Sequence, residues 1–183
     1  SRLEARWAVY LDGVGIKWEY EKESYELSNG RRYLPDFWVP ARKFYNEDSG
    51  YFLEIKGHAP TKVERDNCRY LARDSGHIVE LVYGSPADER FDQYNYRPKR
   101  ENGIVVHVEE WHSKERDPKV ENFLKMIDND PATAPFWSHF VLVSNFWFGQ
   151  NDDLFNHEKH HKAIVSAREA RFEFGENVTL NAI

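Results

Sequence analysis

Two short segments hold the residues in this chain best suited to chemistry: residues 34–37, which read LPDF, and residues 53–57, which read LEIKG. They supply two carboxylates and one ammonium group, from Asp36, Glu54 and Lys56. Side chains alternate along a strand, so Glu54 and Lys56 are expected to project from the same face. Carboxylates suit Mg²⁺ or Mn²⁺, and such a cation activates a phosphate ester towards water. The pattern predicts one or two divalent cations and hydrolysis of a phosphodiester bond.

A third acid, Glu4, falls in the first predicted helix, at the margin of its apolar face. Three carboxylates that converge without a cation repel one another and raise their pKa values, which favours a shared metal ion. Lys56 is expected to orient or deprotonate the attacking water, or to offset charge that develops on the phosphate oxygens. The apolar face of the helix is formed by residues at helical spacing, namely Leu3, Trp7, Tyr10, Leu11 and Val14.

The elements that must position these side chains form a regular series. The pattern predicts a helix that ends at Gly13 and Gly15, followed by two strands joined by a turn at residues 28–30. Pro35 lacks a backbone donor and favours an edge strand or a bulge. The predicted ranges after the first helix are strands at 17–27, 32–39 and 51–56, a helix at 61–75 and a strand at 78–83. This order indicates an α/β layered fold with its core in residues 1–84.

The pattern is looser after Gly84, where we predict an α+β extension of unknown role over residues 85–183. Residues 85–102 contain two prolines and many charges and are interpreted as a loop or hairpin. Further elements are predicted as a strand at 104–110, a helix after Asp117 and Pro118, a buried strand at 139–146 and a final helix at 156–172.

Composition limits the class of protein. The formal net charge of −6 counts mildly against nucleic-acid binding, although acids gathered at a metal site also lower this total. Cys68 is the single cysteine, which excludes an internal disulfide and indicates a reduced cytoplasmic setting. No apolar run approaches the ~20 residues of a membrane helix, and no signal peptide is recognisable, so no membrane association is expected.

The segments at residues 1–8, 33–38 and 52–57 together resemble the PD-(D/E)XK nuclease superfamily. The similarity is greatest to phage-type, Holliday-junction-resolvase-like and transposon-end-cleaving members that carry a glutamate on the first helix. It covers residues 1–84 and implies a restriction-endonuclease-like αβββαβ core with a mixed sheet. It also implies metal ligation by Asp36 and Glu54, catalysis by Lys56, a ligand or supporting role for Glu4, and a metal contact from the Ile55 carbonyl. The cysteine pairs that related phage-type proteins often carry are absent here.

Basic residues predict where DNA would bind. Arg65, Arg69 and Arg73 recur every four residues along one helix and are candidates for phosphate contacts, as are Arg31 and Arg32 at the predicted hairpin. The competing interpretation is a solvated face paired with nearby acids. Since duplex cutting often uses two copies, a homodimer is an open expectation, and so is a protein partner for the C-terminal half.

Two other features offer alternatives. His157, Glu158 and His161 match the HExxH string of zinc peptidases, but their flanks are polar where such a helix would be apolar. The aromatic residues between 136 and 148 suit base stacking or, more readily, core packing. The leading hypothesis is a Mg²⁺- or Mn²⁺-dependent deoxyribonuclease, an endonuclease rather than an exonuclease. The main alternative is a catalytically silent protein of the same fold that binds DNA or a protein.

Overall fold

The chain is an α/β protein built around a mixed sheet. The computed structural model describes residues 1–40, 50–86, 92–112 and 157–170. Within these ranges, the helices are α1 (Arg2–Val14), α2 (Lys62–Ser75) and α3 (His157–Glu169). The strands are β1 (Glu19–Tyr20), β2 (Tyr25–Glu26), β3 (Arg32–Tyr33), β4 (Phe37–Pro40), β5 (Gly50–Lys56), β6 (Ile78–Tyr83), β7 (Asp92–Glu101) and β8 (Ile104–His112).

Six of these strands form one sheet, in the order β1-β4-β5-β6-β7-β8. The pair β5 and β6 is parallel, and the other described pairs in this sheet are antiparallel. A parallel pair needs a crossover between its strands, and α2 provides it. Strands β2 and β3 form a separate antiparallel pair. The carboxyl ends of β5 and β6 therefore lie at the same edge of the sheet.

The two helices that flank this sheet have strong local start and stop signals. At α1, Ser1 and Glu4 form a capping box, and at α2 Thr61 and Glu64 form another. Each helix ends at a glycine in the left-handed region, with φ of 78° at Gly15 and 72° at Gly76. These local signals explain why both helices were predictable from the sequence.

Alternation along β5 divides the core between the two faces of the sheet. Leu53 and Ile55 pack in the cluster that contains the apolar face of α1, whereas Phe52 packs in the cluster that contains α2. Because side chains two residues apart share a face, Glu54 and Lys56 belong to the α2 side, as Phe52 does. The strand thus buries its apolar side chains and brings its two charged ones to one surface.

The chain beyond Gly84 continues the same sheet. Strand β7 pairs with β6, and β7 and β8 form a long hairpin whose turn is Asn102 and Gly103, both with positive φ. Helix α3 packs on α1 and buries Ala163 and Ala167 in the α1 cluster. The approach is close, since a Cβ added at Gly13 would lie 2.7 Å from the Ala163 Cβ.

One acid is buried away from the sheet edge that holds the predicted site. Glu80 in β6 is 2% exposed, and it pairs across the strands with Leu53 and Asn95. The Asn95 amide donates to Glu80 Oε1, whereas Oε2 has no hydrogen-bond partner in the part of the chain that the structure describes. Burial raises the pKa of this carboxyl well above its usual range, and the nearby Arg97 charge acts in the opposite direction.

Most predicted elements are confirmed, with three corrections. The strand predicted at 17–27 is two separate two-residue strands, β1 and β2, which belong to different sheets. The strand predicted at 32–39 is divided into β3 and β4 around Pro35, where a backbone donor is missing.

The third correction concerns residues 85–102, interpreted as a loop or hairpin: residues 92–101 form strand β7 of the β7–β8 hairpin, so the loop alternative is wrong there. Strand β7 pairs with β6 only as far as Tyr96. Pro98 lies beyond this point, so no backbone donor to β6 is needed there. The helix predicted at 156–172 is confirmed as α3. The elements predicted after Asp117 and at 139–146 lie outside the described residues. None of the described helices has the length and apolar character needed to cross a membrane.

Candidate active site

Asp36 and Glu54 meet where β4 begins beside β5. Phe37 and Leu53 are paired in the ladder, so Asp36 lies opposite Glu54, one position beyond the last pair. Asp36 Oδ2 accepts the Ile55 N–H at 2.7 Å, and Glu54 Oε2 accepts the Asp36 N–H at 3.3 Å. At this position the two carboxylates therefore accept the backbone N–H groups that a carbonyl of the neighbouring strand would accept in regular pairing.

Local sequence explains why a side chain fills this position. Pro35 cannot donate to a neighbouring strand, so regular pairing stops before Asp36. The Asp36 carbonyl still accepts the Glu21 N–H at 2.9 Å, which holds its backbone beside β1. Asp36 is thus fixed by its backbone on one side and its carboxylate on the other.

Lys56 completes the charged group on the α2 face of β5. Its Nζ lies 2.5 Å from Glu54 Oε1, and the side chain of Lys56 is 22% exposed compared with 3% for Glu54. The ammonium group lies between the buried carboxylate and solvent. This arrangement presents a positive charge to a ligand that approaches the sheet edge.

The ionisation of the three groups is shifted by burial and by their mutual charges. Burial, together with the Glu54 charge, raises the pKa of Asp36 to about 7. Burial likewise raises the pKa of Glu54, although Lys56 opposes that shift. Burial alone would lower the pKa of Lys56, but the charge and hydrogen bond of Glu54 raise it above its ordinary value. A buried and a half-buried carboxyl group thus lie near one ammonium group, which pairs with Glu54.

Glu4 approaches the same edge of the sheet from α1. Leu3 lies against Gly57, the residue after β5, with 3.7 Å between Leu3 Cδ2 and an added Gly57 Cβ. Glu4 Oε2 accepts the Tyr20 hydroxyl at 2.6 Å, and it also closes the α1 capping box. Burial raises the pKa of Glu4, but hydrogen bonds from Ser1 and Tyr20 produce a net lowering. Its charge in turn contributes to the raised pKa of Asp36.

Two tyrosines that were not identified from the sequence contribute to the site. Tyr20 donates to Glu4, and a hydrogen bond from Tyr33 lowers the pKa of Glu54. The Tyr33 hydroxyl also lies 3.6 Å from the sulfur of Cys68, a buried residue of α2. The available sequence signal is that Tyr33 precedes Asp36 by three residues, but its contact with Glu54 depends on how the two hairpins fold together.

The carboxylate oxygens of this site would supply only part of the ligand set of a hard divalent cation. Within the described ranges, no three His, Cys, Asp or Glu groups are arranged to hold a metal ion together. Glu54 is buried and Asp36 half-buried, and the pKa values of both carboxyl groups are raised mainly by burial. The Ile55 N–H points towards Asp36, and in a strand the carbonyl of the same residue emerges on that side. Two carboxylates and one carbonyl are a donor set that Mg²⁺ or Mn²⁺ accepts, with water as the remaining ligand.

The candidate arginines of α2 lie beside acids. Arg65 and Arg69 both approach Glu110 of β8, with Arg65 Nη1 3.9 Å from Glu110 Oε1. Arg73 Nε lies 3.1 Å from Asp74 Oδ1. At the β2–β3 turn, Arg31 donates to Asn67 at 3.1 Å, and Arg32 is exposed. These pairs reduce the positive charge that the α2 stripe offers to a phosphate.

The residues of the HExxH string lie on α3. Glu158 is 75% exposed and forms an ion pair of 2.6 Å with Lys162. His161 is also exposed, whereas the buried residues of the helix face α1. The described part of this string therefore has the character of a polar helix surface.

Comparison with known proteins adds no assignment. No protein-family model matches the sequence, and no curated protein is significantly similar to it. The site must therefore be judged on its own chemistry.

Proposed function

We propose that the chain is a metal-dependent deoxyribonuclease that hydrolyses internal phosphodiester bonds of DNA. The observation that carries this proposal is the convergence of Asp36, Glu54 and Lys56 at the carboxyl end of β5. Two carboxylates to hold a divalent cation and one ammonium group beside them suit metal-dependent hydrolysis of a phosphodiester. A divalent cation bound to these carboxylates would in turn bind and activate a phosphate group.

The topology supports the resemblance to PD-(D/E)XK nucleases. Helix α1 precedes the antiparallel strands β1, β4 and β5, and α2 then leads to β6, which is parallel to β5. This is the order of the αβββαβ core, with Asp36 at the start of β4 and Glu54 and Lys56 in β5. We infer a restriction-endonuclease-like core on this basis, extended at one edge by β7 and β8.

Each residue has a distinct part in the proposed reaction. Asp36, Glu54 and the Ile55 carbonyl would hold one or two Mg²⁺ or Mn²⁺ ions, and Glu4 would serve as a further ligand or as a support. A divalent cation held there supplies electrophilic activation of the phosphoryl group and of water. Lys56 is protonated at neutral pH because Glu54 stabilises its charge. It therefore stabilises the negative charge of the phosphate oxygens and orients water, and it is not suited to accept a proton.

A second candidate function is a catalytically silent protein of this fold that binds DNA or a protein partner. One observation favours it: Asp36 and Glu54 already accept backbone hydrogen bonds, and Lys56 already pairs with Glu54. A site satisfied by its own groups binds a cation only if the cation displaces part of this network. The two hypotheses therefore differ in whether metal binds and whether DNA is cut.

Nicking of supercoiled plasmid separates them. We expect cleavage with Mg²⁺ or Mn²⁺, inhibition by EDTA, and loss of cleavage in Asp36→Asn and Glu54→Gln, with a smaller loss in Glu4→Gln. A matched control is Glu109→Gln, which removes an exposed acid paired with Lys99 on the distant hairpin. Cleavage that survives in Asp36→Asn and Glu54→Gln would contradict the nuclease proposal, and absence of cleavage in every metal would favour the silent alternative.

A further inference from the structure

A group of planar side chains lies next to Lys56 on the same face of the sheet. Lys56 pairs with Tyr83 across the parallel strands β5 and β6, so their side chains are neighbours. Tyr94 and His112 pair with each other on β7 and β8, and Tyr94 also pairs with Leu81, two residues before Tyr83 in β6. All three rings are half-buried, so part of their surface is accessible to solvent.

The rings of Tyr83 and His112 lie side by side and nearly parallel, with centroids 6.5 Å apart. Their planes differ by 4°, and the Tyr83 hydroxyl lies 3.4 Å from His112 Nε2, an edge-to-edge contact between parallel rings. The same hydroxyl donates to Asp92 Oδ2 at 3.0 Å, which leaves its oxygen to accept from His112. Two hydrogen bonds therefore fix the Tyr83 hydroxyl beside the imidazole.

Tyr94 and Arg65 support these two rings from one side. The Tyr94 and His112 rings are stacked, with centroids 4.1 Å apart and planes 24° apart. The Arg65 guanidinium lies over the Tyr94 ring, with its Cζ 5.3 Å from the centroid. The stack places a positive charge beside the aromatic surface, although Glu110 also approaches Arg65.

We propose that Tyr83 and His112, supported by Tyr94 and Arg65, form a stacking platform for an unpaired base of a single-stranded DNA segment next to the cleavage site. This inference rests on the proposed nuclease function for its position relative to the cut. The stacking platform consists of four residues: Tyr83, Tyr94, His112 and Arg65. Flat rings accept the face of any base, so the platform does not select a sequence.

The chemistry favours an unpaired base over a duplex. Inside a duplex, the faces of each base are covered by its neighbours, so only an unpaired base or a helix end can stack on a side chain. Strands lie about 4.8 Å apart, which puts the platform about 5–14 Å from Lys56. At the ~3.4 Å rise of a stacked strand, this distance spans about one to four nucleotides. The substrate class is therefore DNA with a single-stranded flank beside the scissile phosphate.

Binding measured without divalent cations tests the platform independently of catalysis. Fluorescence anisotropy of the full chain in EDTA would use a labelled oligothymidylate of about twelve nucleotides, a matched abasic oligonucleotide and a blunt duplex, all at one salt concentration. We expect the oligothymidylate to bind tighter than either comparison. His112→Ala and Tyr83→Ala should each raise its Kd about tenfold, since a stacked base carries an effect of this size.

Two further variants separate stacking from folding. His112→Phe retains a flat ring and should stay within about twofold of the unchanged protein. His107→Ala removes an exposed histidine of β8 that pairs with Lys99 far from the platform, and it should have no effect. Equal affinity for thymidylate and abasic strands, or equal Kd values for His112→Ala and His107→Ala in folded protein, would overturn the platform.

The outcomes also separate this inference from the nuclease proposal. If plasmid nicking requires Asp36 but single-strand binding is unchanged in His112→Ala, the platform proposal is rejected and the nuclease proposal stands. If single-strand binding requires His112 but no nicking occurs, the nuclease proposal is rejected. The platform is then supported as a binding site of the catalytically silent protein.

Discussion

Asp36 and Glu54 exchange backbone hydrogen bonds across the beginning of β4: the Asp36 carboxylate accepts the N–H of Ile55, and the Glu54 carboxylate accepts the N–H of Asp36. The position of each side chain therefore depends on the strand that carries the other. A change at one carboxylate shifts the other, so the two are expected to act as a unit and their substitutions to be non-additive.

Divalent cations should stabilise the folded protein through this pair. A ligand that binds only the native state adds about 2.7 kcal/mol to the free energy of unfolding at 100 times its Kd. We expect Mn²⁺ to raise the Tm of the unchanged protein. The Tm of a double variant that carries both Asp36→Asn and Glu54→Gln should hardly change. Differential scanning calorimetry measures both. The Glu109→Gln control should respond like the unchanged protein, and a full Mn²⁺ shift in the double variant would place the cation elsewhere.

Replacement of Lys56 should separate catalysis from metal binding. Lys56→Met keeps the aliphatic stem but removes the charge that is expected to stabilise phosphate oxygens. Loss of one such donor typically reduces kcat about 10²- to 10³-fold. The Mn²⁺-induced rise in Tm should persist, because the carboxylates remain. Lys62→Met is the control, since Lys62 is 80% exposed on α2. Unchanged nicking by Lys56→Met contradicts the assigned role.

Glu80 predicts a dependence of stability on pH that is unrelated to the metal. Its pKa is raised in the folded protein, so the folded state holds the proton more tightly than the unfolded state. Stability from this group is present below the unfolded pKa and is lost as pH rises towards the folded value. Glu80→Gln should therefore stabilise the protein at pH 8 by about 1–3 kcal/mol, and the difference should vanish near pH 4.

Urea denaturation in EDTA at several pH values measures this difference. Asp74→Asn provides a contrast of opposite sign. Hydrogen bonds from Ser28 lower the pKa of Asp74 and together outweigh the opposing effect of burial, so its loss should destabilise the protein at pH 8. A Glu80→Gln variant that is less stable than the unchanged protein at pH 8 would show that the carboxylate is ionised and paired.

Contact between α1 and α3 predicts a cost for filling the space at Gly13. An alanine there brings its Cβ to 2.7 Å from the Ala163 Cβ and 3.0 Å from the Ala163 Cα. Overpacking of this kind costs about 1–3 kcal/mol, which exceeds the gain in helix propensity near the end of α1. Thermal or urea unfolding should show Gly13→Ala less stable, with part of the loss recovered by Ala163→Gly.

Gly57→Ala serves as the comparison for that experiment. Among the residues that the structure describes, its added Cβ would meet only Leu3, at an ordinary contact distance of 3.7 Å. Its effect on unfolding should be small. A Gly13→Ala variant of undiminished stability would show that α3 does not rest on α1 in solution.

The sequence predicted the parts of the fold that depend on local signals. Apolar residues at helical spacing and a glycine after each helix predict α1 and α2 without reference to the rest of the chain, whereas the capping boxes at Ser1 and Thr61 are seen in the structure. The two-residue spacing of Glu54 and Lys56 likewise predicts that they share one face of β5. These features involve residues within a few positions of each other, so they can be recognised in the sequence itself.

Contacts between distant segments were beyond the reach of that reasoning. Glu110 lies 41 residues from Arg69, and their pairing requires β8 to return beside α2. Strand β7 carries charges and a proline that obscure its pattern, and its pairing with β6 becomes clear only in the sheet. The hydrogen bond from Tyr33 to Glu54 has the same origin. Such contacts follow from topology, which residue spacing alone does not provide.

Trp7 has a position that gives it a use as an optical reporter. Its indole N–H donates to the Gly84 carbonyl at 3.0 Å, and the Gly84 N–H donates to the Lys56 carbonyl at 2.9 Å. The fluorophore is thus two hydrogen bonds from the backbone of Lys56. In a variant that keeps Trp7 as its sole tryptophan, the emission spectrum would follow rearrangement of the sheet edge in real time, without an attached dye.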